Sequence, residues 1–351
     1  MKASLVGLGA IGTIIAADLA KNNFPLYVVC KHQEVLDVVK TRGLKVSGVS
    51  GEYIVKENLT PVLTIEDLPE NLDVIFLVTK LTELEDALER LKPKLSKDFT
   101  LITLTNGMIE EKLAQKMDKK NLVGCVISFG ASKKGPAESE KTSGGQMFYG
   151  RMDGKKKAYD DEIIQKLSST APITWSDSIL NEKFSKLLIN LAVTSFGVIS
   201  GMTLGSMLKR KITRIAFLTV ITEGVRVANA KKLELQKVNS LNMYSLALTK
   251  KELHGFFSFK HFFKQIIITI IGRKYKNLRS SNLQSIESGR KSEVDFLNGY
   301  LVKEGERLNI ETPLNRYVLG IIHEIEQGKK KSSLKELIEL ERKTKEIWDL
   351  V

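Results

Sequence analysis

Along the first half of the chain, apolar positions come in short β-branched runs, separated by stretches in which they recur every three or four residues. Runs at 3–6, 26–30, 74–78, 101–105, 122–127 and 146–149 predict strands. Helical spacing follows the first run, at Ile11, Ile14, Ile15 and Leu19, and returns over 82–91. Strands alternating with crossover helices predict a parallel sheet. The rhythm changes near Trp175. From Ile179 onward strand signal almost vanishes, and apolar residues recur at helical spacing through Leu187, Leu191 and Val198, then Leu297 and Leu301, then Leu334 and Leu337. The pattern predicts an α/β protein in which a doubly wound sheet over residues 1–175 precedes an all-α domain over 176–351. No internal repeat at solenoid periods is evident. Clefts between two such domains are common ligand sites.

A length of 351 residues suits two domains. With 42% apolar and 27% charged residues the composition is that of a folded globular chain, which excludes disordered and collagenous classes. The net charge of +13 favours anionic partners without choosing among nucleotides, nucleic acid, lipid and phosphorylated metabolites. No stretch of eighteen uninterrupted apolar residues occurs, so integral membrane association is not expected. Residues 1–20 superficially resemble a secretory leader, but Gly7, Gly9 and Gly12 and the early switch from strand to helical spacing argue for strand, tight turn and helix. Cys30 and Cys125 are two and far apart, which predicts neither a disulfide framework nor a metal site and fits a reducing, cytoplasmic setting.

The sharpest local signal is Gly7-Leu8-Gly9-Ala10-Ile11-Gly12, placed directly after the first strand and opening the first helix. One glycine serves a tight turn, one lets backbone approach a pyrophosphate, and one lets helix and strand pack closely; the helix N-terminus offers free amides to the phosphates. With these flanks and the βα units that follow, the segment predicts a Rossmann-type dinucleotide site. The end of the second strand reads Val28-Val29-Cys30-Lys31-His32, with no carboxylate before Glu34. A basic residue there favours the 2'-phosphate of NADP(H) over the bare ribose of NAD, although Lys31 also reads as a solvated surface lysine. Lys80 and Asn106 close two further strand runs, where open α/β sheets bind ligands. Asn106-Gly107 reads equally well as turn chemistry.

In the helical half, Lys186, Asn190 and Thr194 follow each other at intervals of four and form one polar stripe on an otherwise apolar helix. Such groups need a ligand, water or side-chain partner, because an unpaired buried polar group costs about 1–3 kcal/mol. Ser281 and Glu293 are twelve residues apart, so one continuous helix would separate them by about 18 Å. Read alone, Ser281 is an N-cap and Glu293 a surface charge.

Taken together these residues resemble the ketopantoate reductases (2-dehydropantoate 2-reductases). The likeness runs from the glycine turn through the basic residue after strand two, Lys80, Asn106-Gly107, Phe129-Gly130-Ala131 and the Lys186 helix, to the segment from Ser281 to Glu293 with Asn298-Gly299 behind it. The resemblance implies NADPH-dependent reduction of 2-dehydropantoate to pantoate, in pantothenate and coenzyme A biosynthesis. It makes Lys186 the general acid and gives Asn190, Thr194 and Ser281 to the substrate. Asn106 would touch both ligands, Glu293 would lie near cofactor and lysine, and Ala131 would meet the cofactor through its backbone. A positioned ammonium suits this chemistry, since hydride delivery to a ketone builds negative charge on oxygen. His32, His254, His261 and His323 match none of these positions, which argues against a histidine-dependent 2-hydroxy acid dehydrogenase.

Two departures stand out: Thr194 where the family usually has a second asparagine, and Phe184 where a tryptophan is common. The first leaves open another branched 2-oxo acid as substrate. A non-catalytic NADP-sensing protein is a further alternative. A homodimer is allowed, and nucleic acid is not an expected partner. The segment 250–279 carries eight basic residues and one acidic, Glu252, interleaved with Phe256, Phe257, Phe259, Phe262 and Phe263. It reads as an amphipathic membrane-surface helix, as a nucleic-acid patch or, more plainly, as an apolar face packed on the helical domain with its lysines solvated.

Overall fold

The structure is a computed structural model, and it describes residues 1–238, 241–253 and 259–350. His254, Phe256 and Phe257 lie outside the described residues. The chain divides into two compact units, Met1–Lys183 and Phe184–Val351.

In the first unit, β1 (Ala3–Val6), α1 (Ala10–Lys21), β2 (Leu26–Val29) and α2 (Gln33–Arg42) form the opening βαβα run. Then come β3 (Leu44–Gly48), β4 (Tyr53–Val55), β5 (Leu59–Val62), β6 (Leu72–Leu77), α3 (Leu84–Leu91), β7 (Leu95–Thr103), α4 (Ile109–Leu113) and β8 (Leu122–Ile127). The unit continues through β9 (Ala131–Gly135), β10 (Glu138–Lys141), β11 (Met147–Arg151), α5 (Ala158–Leu167) and β12 (Ile173–Trp175). Among the described residues the main sheet has the order β12-β11-β8-β7-β6-β1-β2-β5. Its strands are parallel except where β11 runs against β8. The strand order reverses at β1, whose neighbours β2 and β6 lie on opposite sides, so β1 and β6 flank the switch point where open sheets bind ligands.

The predicted strand runs all fall in this sheet. The sequence reading did not foresee β3, β4, β9 and β10, which make a separate four-stranded sheet of order β4-β3-β10-β9 packed against α1. Their alternation is masked by charge: β9 and β10 read Ala-Ser-Lys-Lys-Gly and Glu-Ser-Glu-Lys. On β4, the Tyr53 hydroxyl donates to Asp18 of α1, giving that buried carboxylate a partner.

Helix α6 (Ile179–Ser200) crosses the division between the units. Then follow α7 (Leu204–Leu208), α8 (Lys211–Ala230), α9 (Met243–Leu246), α10 (Lys250–Leu253), α11 (Phe259–Lys274), α12 (Ser281–Glu287), α13 (Asn298–Arg307), α14 (Pro313–Glu326) and α15 (Leu334–Leu350). No strand occurs here among the described residues. On α8, Glu223 reaches the start of α14, accepting from the Leu314 and Asn315 amides at 2.8 and 2.9 Å and from Asn315 Nδ2 at 2.6 Å. One expectation is corrected: α11 does not pack its phenylalanines inward, because the residues it buries are Lys264, Gln265, Ile268 and Gly272.

Candidate active site

Each glycine of the first turn meets a different steric demand. Gly7 takes φ +114°, and a Cβ there would lie 2.7 Å from backbone atoms of Val78 and Thr79 at the end of β6. A Cβ on Gly12 would lie 1.9 Å from the Gly7 carbonyl oxygen, so α1 could not sit this close to the turn. A Cβ on Gly9 would meet nothing within 4 Å. Gly9 is also the N-cap of α1, with no side-chain cap and no acidic residue in the first turn. The helix N-terminus therefore opens into space with its first amides, at Ala10 and Ile11, uncapped by any side chain. These residues fit the pyrophosphate of a dinucleotide.

Around this turn, the carboxyl ends of adjacent strands carry the remaining residues predicted in this unit. After β2, Lys31 adopts φ +65° and its amide donates to the Leu63 carbonyl at 2.9 Å. Its Nζ lies 2.9 Å from Glu83 Oε2, in an ion pair whose lysine side chain is 64% exposed. Lys80, half-buried, follows β6 and precedes a 3-10 turn over Leu81–Glu83. Asn106, half-buried, follows β7; the left-handed position of the Asn-Gly pair is Gly107, at φ +73°, so the turn itself makes no demand on residue 106. Ala131 opens β9 just past the end of β8, beside Gly130, whose amide donates to Ser143 Oγ at 2.9 Å.

In the second unit, α6 carries Lys186 and Asn190, both half-buried, and Thr194, which is buried. Leu187, Leu188, Leu191 and Ala192 around them are buried, so the stripe is the less covered side of this helix. The Thr194 hydroxyl donates to the Asn190 carbonyl at 2.6 Å, a local bond that holds its oxygen close to the helix.

The N-cap of α12 is Ser280 rather than Ser281. Its Oγ accepts from the Leu283 amide at 3.2 Å and donates to the Thr194 carbonyl at 2.6 Å. A Cβ on Gly197 would stand 2.4 Å from Ser280 Cβ, so glycine permits this close approach to α6. Ser281, one residue on, is exposed beside the Thr194 end of the stripe. Glu293 is not a surface charge: it is 4% exposed, and its amide donates to Asn282 Oδ1 at 3.2 Å. The separation expected of a continuous helix never arises. Helix α12 stops at Glu287, Gly289 turns at φ +72°, and the Arg290 amide returns to the Ser285 carbonyl at 2.9 Å. Within the second unit, the start of α12 is thus tied to Thr194 through Ser280 and to Glu293 through Asn282, with Ser281 between the two contacts in sequence. Asn298 has a structural task, accepting from Ser195 Oγ at 2.5 Å and donating to Asn315 Oδ1 at 2.9 Å.

Three ionisable residues near these positions escaped the sequence reading. Glu182 lies four residues before Lys186 and extends the interval-of-four series; burial pushes its carboxyl up to about 7. Lys183 is buried and bonds Glu110 and, at 3.2 Å, the Thr105 carbonyl, with the Thr103 hydroxyl also donating to Glu110. Glu182 had a periodic signal in the sequence. Lys183 and Glu110, 73 residues apart, had none. Both cysteines are buried free thiols, and burial raises Cys30 to about 11. Among the described residues no cluster suits a metal ion.

Residues 4–154 match the family model for ketopantoate reductase PanE/ApbA, and residues 178–326 match that for its C-terminal part. The chain is 22% identical over 321 residues to a 2-dehydropantoate 2-reductase of Streptococcus pyogenes serotype M3, covering 91% of this chain and 96% of that protein. It is 24% identical over 334 residues to that of Pyrococcus abyssi, covering 94% and 100%. Among solved structures, a PanE/ApbA family ketopantoate reductase from Ralstonia eutropha superposes with a TM-score of 0.77 at 19% identity, covering 94% of this chain and 99% of the other. A D-mandelate dehydrogenase solved with NADH and anilino(oxo)acetate gives 0.77 at 20% identity, covering 93% and 99%. The chain belongs to the ketopantoate reductase PanE/ApbA family.

Proposed function

We propose that this protein is an NADPH-dependent reductase converting 2-dehydropantoate to pantoate, the reaction that serves pantothenate biosynthesis. The family match supports the reaction class. The observation that carries the cofactor reading is the uncapped N-terminus of α1, open above Gly9, with Lys31 at the end of the neighbouring strand. NADPH supplies the hydride. Gly7, Leu8, Gly9, Ala10, Ile11 and Gly12 form the turn that holds its pyrophosphate, Lys31 meets the 2'-phosphate, and Lys80, Asn106 and Ala131 complete the cofactor side. Lys186 then donates a proton to the ketone oxygen as negative charge builds there. Asn190, Thr194 and Ser281 hold the carboxylate and hydroxyl of the substrate without adding charge. Glu293, which is buried, balances the ammonium.

The test is purified protein with NADPH and ketopantoate, followed by loss of reduced-nicotinamide absorbance. Turnover that collapses in Lys186→Ala supports the assignment; no turnover, or equal turnover in the variant, overturns it. A second reading, reduction of another bulky 2-oxo acid, is favoured by Thr194, whose hydroxyl is drawn back to the Asn190 carbonyl. The likeness to a D-mandelate dehydrogenase adds support for it. A substrate panel decides between them: a clear preference for ketopantoate removes the second reading.

A further inference from the structure

Helix α11 is amphipathic with its faces reversed. Taking Phe259 as the reference at 100° per residue, Phe262, Phe263, Ile266 and Ile270 all fall within about 60° of it on one side of the helix. All five are exposed, Phe259 at 77% and Phe263 at 60%. The opposite side carries Lys264, Gln265, Ile268 and Gly272, which are the buried residues. The buried polar groups are satisfied: Lys264 Nζ donates to the Ala247 carbonyl at 2.5 Å and to Glu252 at 2.8 Å, and Gln265 accepts from Arg214 Nε at 2.9 Å. Gly272 lets α11 seat tightly, since a Cβ there would lie 2.9 Å from Leu208 Cβ. The helix is therefore anchored through its polar side and holds its apolar side outward. A contiguous stripe of this kind marks a contact surface.

Charge identifies the occupant. From Phe259 to Arg279 the sequence contains six Lys or Arg residues and no Asp or Glu. Lys264 is buried; Lys260, Arg273, Lys274, Lys276 and Arg279 are exposed. Arg273 and Lys274 prolong the same side of the helix past Ile270, and Lys260 flanks its start. A second copy docked through this face would bring like charges together. The phosphates of a nucleic acid would not bury five large apolar side chains. An anionic lipid surface answers both features, taking phenylalanine and isoleucine into the acyl boundary while headgroups neutralise the cations. At about 24 Å for its 16 residues the helix suits lying in the interface. Among the described residues no helix is long and apolar enough to cross a membrane.

We propose that α11 docks this protein on anionic membrane surfaces, with Phe259, Phe262, Phe263, Ile266 and Ile270 inserted and Arg273 and Lys274 against the headgroups.

The experiment is co-sedimentation of the full chain with phosphatidylcholine vesicles, with and without phosphatidylglycerol, at low and physiological salt. Binding should be about tenfold stronger to the anionic vesicles and should fall with salt. The double variants Phe262→Ser with Phe263→Ser, and Arg273→Gln with Lys274→Gln, should each lose about tenfold in partitioning. All four positions are exposed, so Tm and cofactor affinity should not change, and these serve as the folding control. Three results would overturn the proposal: no binding to anionic vesicles, equal binding by the variants, or a concentration-dependent dimer that Phe263→Asp abolishes.

Discussion

Helices α6 and α11 are both rich in large apolar residues, leucine, isoleucine and phenylalanine in α6 and isoleucine and phenylalanine in α11, and both carry lysines at helical spacing, yet they face opposite ways. In α6, Leu187, Leu188 and Leu191 are buried and the stripe of Lys186 and Asn190 is the less covered side. In α11 the lysine and glutamine are buried and the phenylalanines are exposed. Periodicity divides a helix into two faces, but it does not say which one turns inward. What decides the matter is the partner. Helix α6 meets apolar neighbours such as Phe217 of α8, whose ring lies 6.2 Å from that of Phe196. Helix α11 meets a buried carboxylate, Glu252, and the side chain of Arg214.

The largest effect expected is on the polar stripe of α6. If that stripe serves catalysis, Lys186→Ala lowers kcat/KM by about 10²–10⁴-fold, the usual range for loss of a positioned general acid. The stability of the variant should stay close to that of the parent, because Lys186 is only half-buried. Steady-state kinetics with chemical denaturation checks both halves. A variant that unfolds but keeps its specific activity would make the stripe a packing feature and break the contrast.

Next in size come stability changes that reverse the ordinary ranking of residues. Lys264→Ala strands the buried Glu252 carboxylate and should cost about 3–5 kcal/mol. Lys260→Ala, one turn away and exposed, should lie within about 0.5 kcal/mol. On α6 the order is the usual one: Leu188→Ala should cost about 2–5 kcal/mol. Urea denaturation of the three variants measures this. If Phe263→Ala proved as costly as Leu188→Ala, the outward orientation of α11 would be wrong.

Legibility follows the same line. The glycine turn could be read because its three requirements lie within six residues and each excludes a side chain at a named place. The inner strands of the main sheet and β11 could be read because they are apolar runs buried over most of their length, whereas the less buried edge strands β5 and β12 gave no such run. The sheet of β3, β4, β9 and β10 could not be read, since the lysines and glutamates of β9 and β10 break its alternation. The contact between Asn282 and Glu293 depends on a reversal at Gly289, and no helical pattern encodes a reversal. The Lys183–Glu110 pair is pure tertiary structure, with neither residue carrying a local signal for the other.

A smaller effect is the pH dependence of stability. Burial pushes Glu223 from an ordinary 4.5 up to about 7, against the pull of the Leu314 and Asn315 amides, and burial pushes Glu182 to about 7 as well. Both folded values exceed the unfolded one, so the folded state keeps protons that the unfolded state has released. Stability is highest below about 4.5 with respect to these groups, falls as pH rises from there to about 7, and is flat above. The slope for a single fully buried group is at most about 1.4 kcal/mol per pH unit. Glu223→Gln should flatten the curve in that window, as read from urea midpoints across pH. An unchanged slope would mean that Glu223 is already ionised at the α14 N-terminus.

The smallest effect concerns Lys31, a lysine that faces solvent as those flanking the α11 stripe do. Its ammonium is already engaged by Glu83, and an exposed pair of this kind contributes only about 0.2–1 kcal/mol. If Lys31 meets the 2'-phosphate of NADPH, that phosphate has to displace a carboxylate, and Glu83→Gln should lower the KM for NADPH by about 1.5- to 5-fold. The same substitution should leave NADH unaffected or slightly weaker, since the carboxylate could accept a ribose hydroxyl. Lys31→Ala should raise the KM for NADPH by about tenfold, the worth of one charge-assisted hydrogen bond, and spare NADH. Kinetics of both variants with both cofactors separates the two residues. If Lys31→Ala shifted NADPH and NADH equally, the lysine would be an ordinary solvated side chain, and the choice of nicotinamide cofactor would rest on other residues.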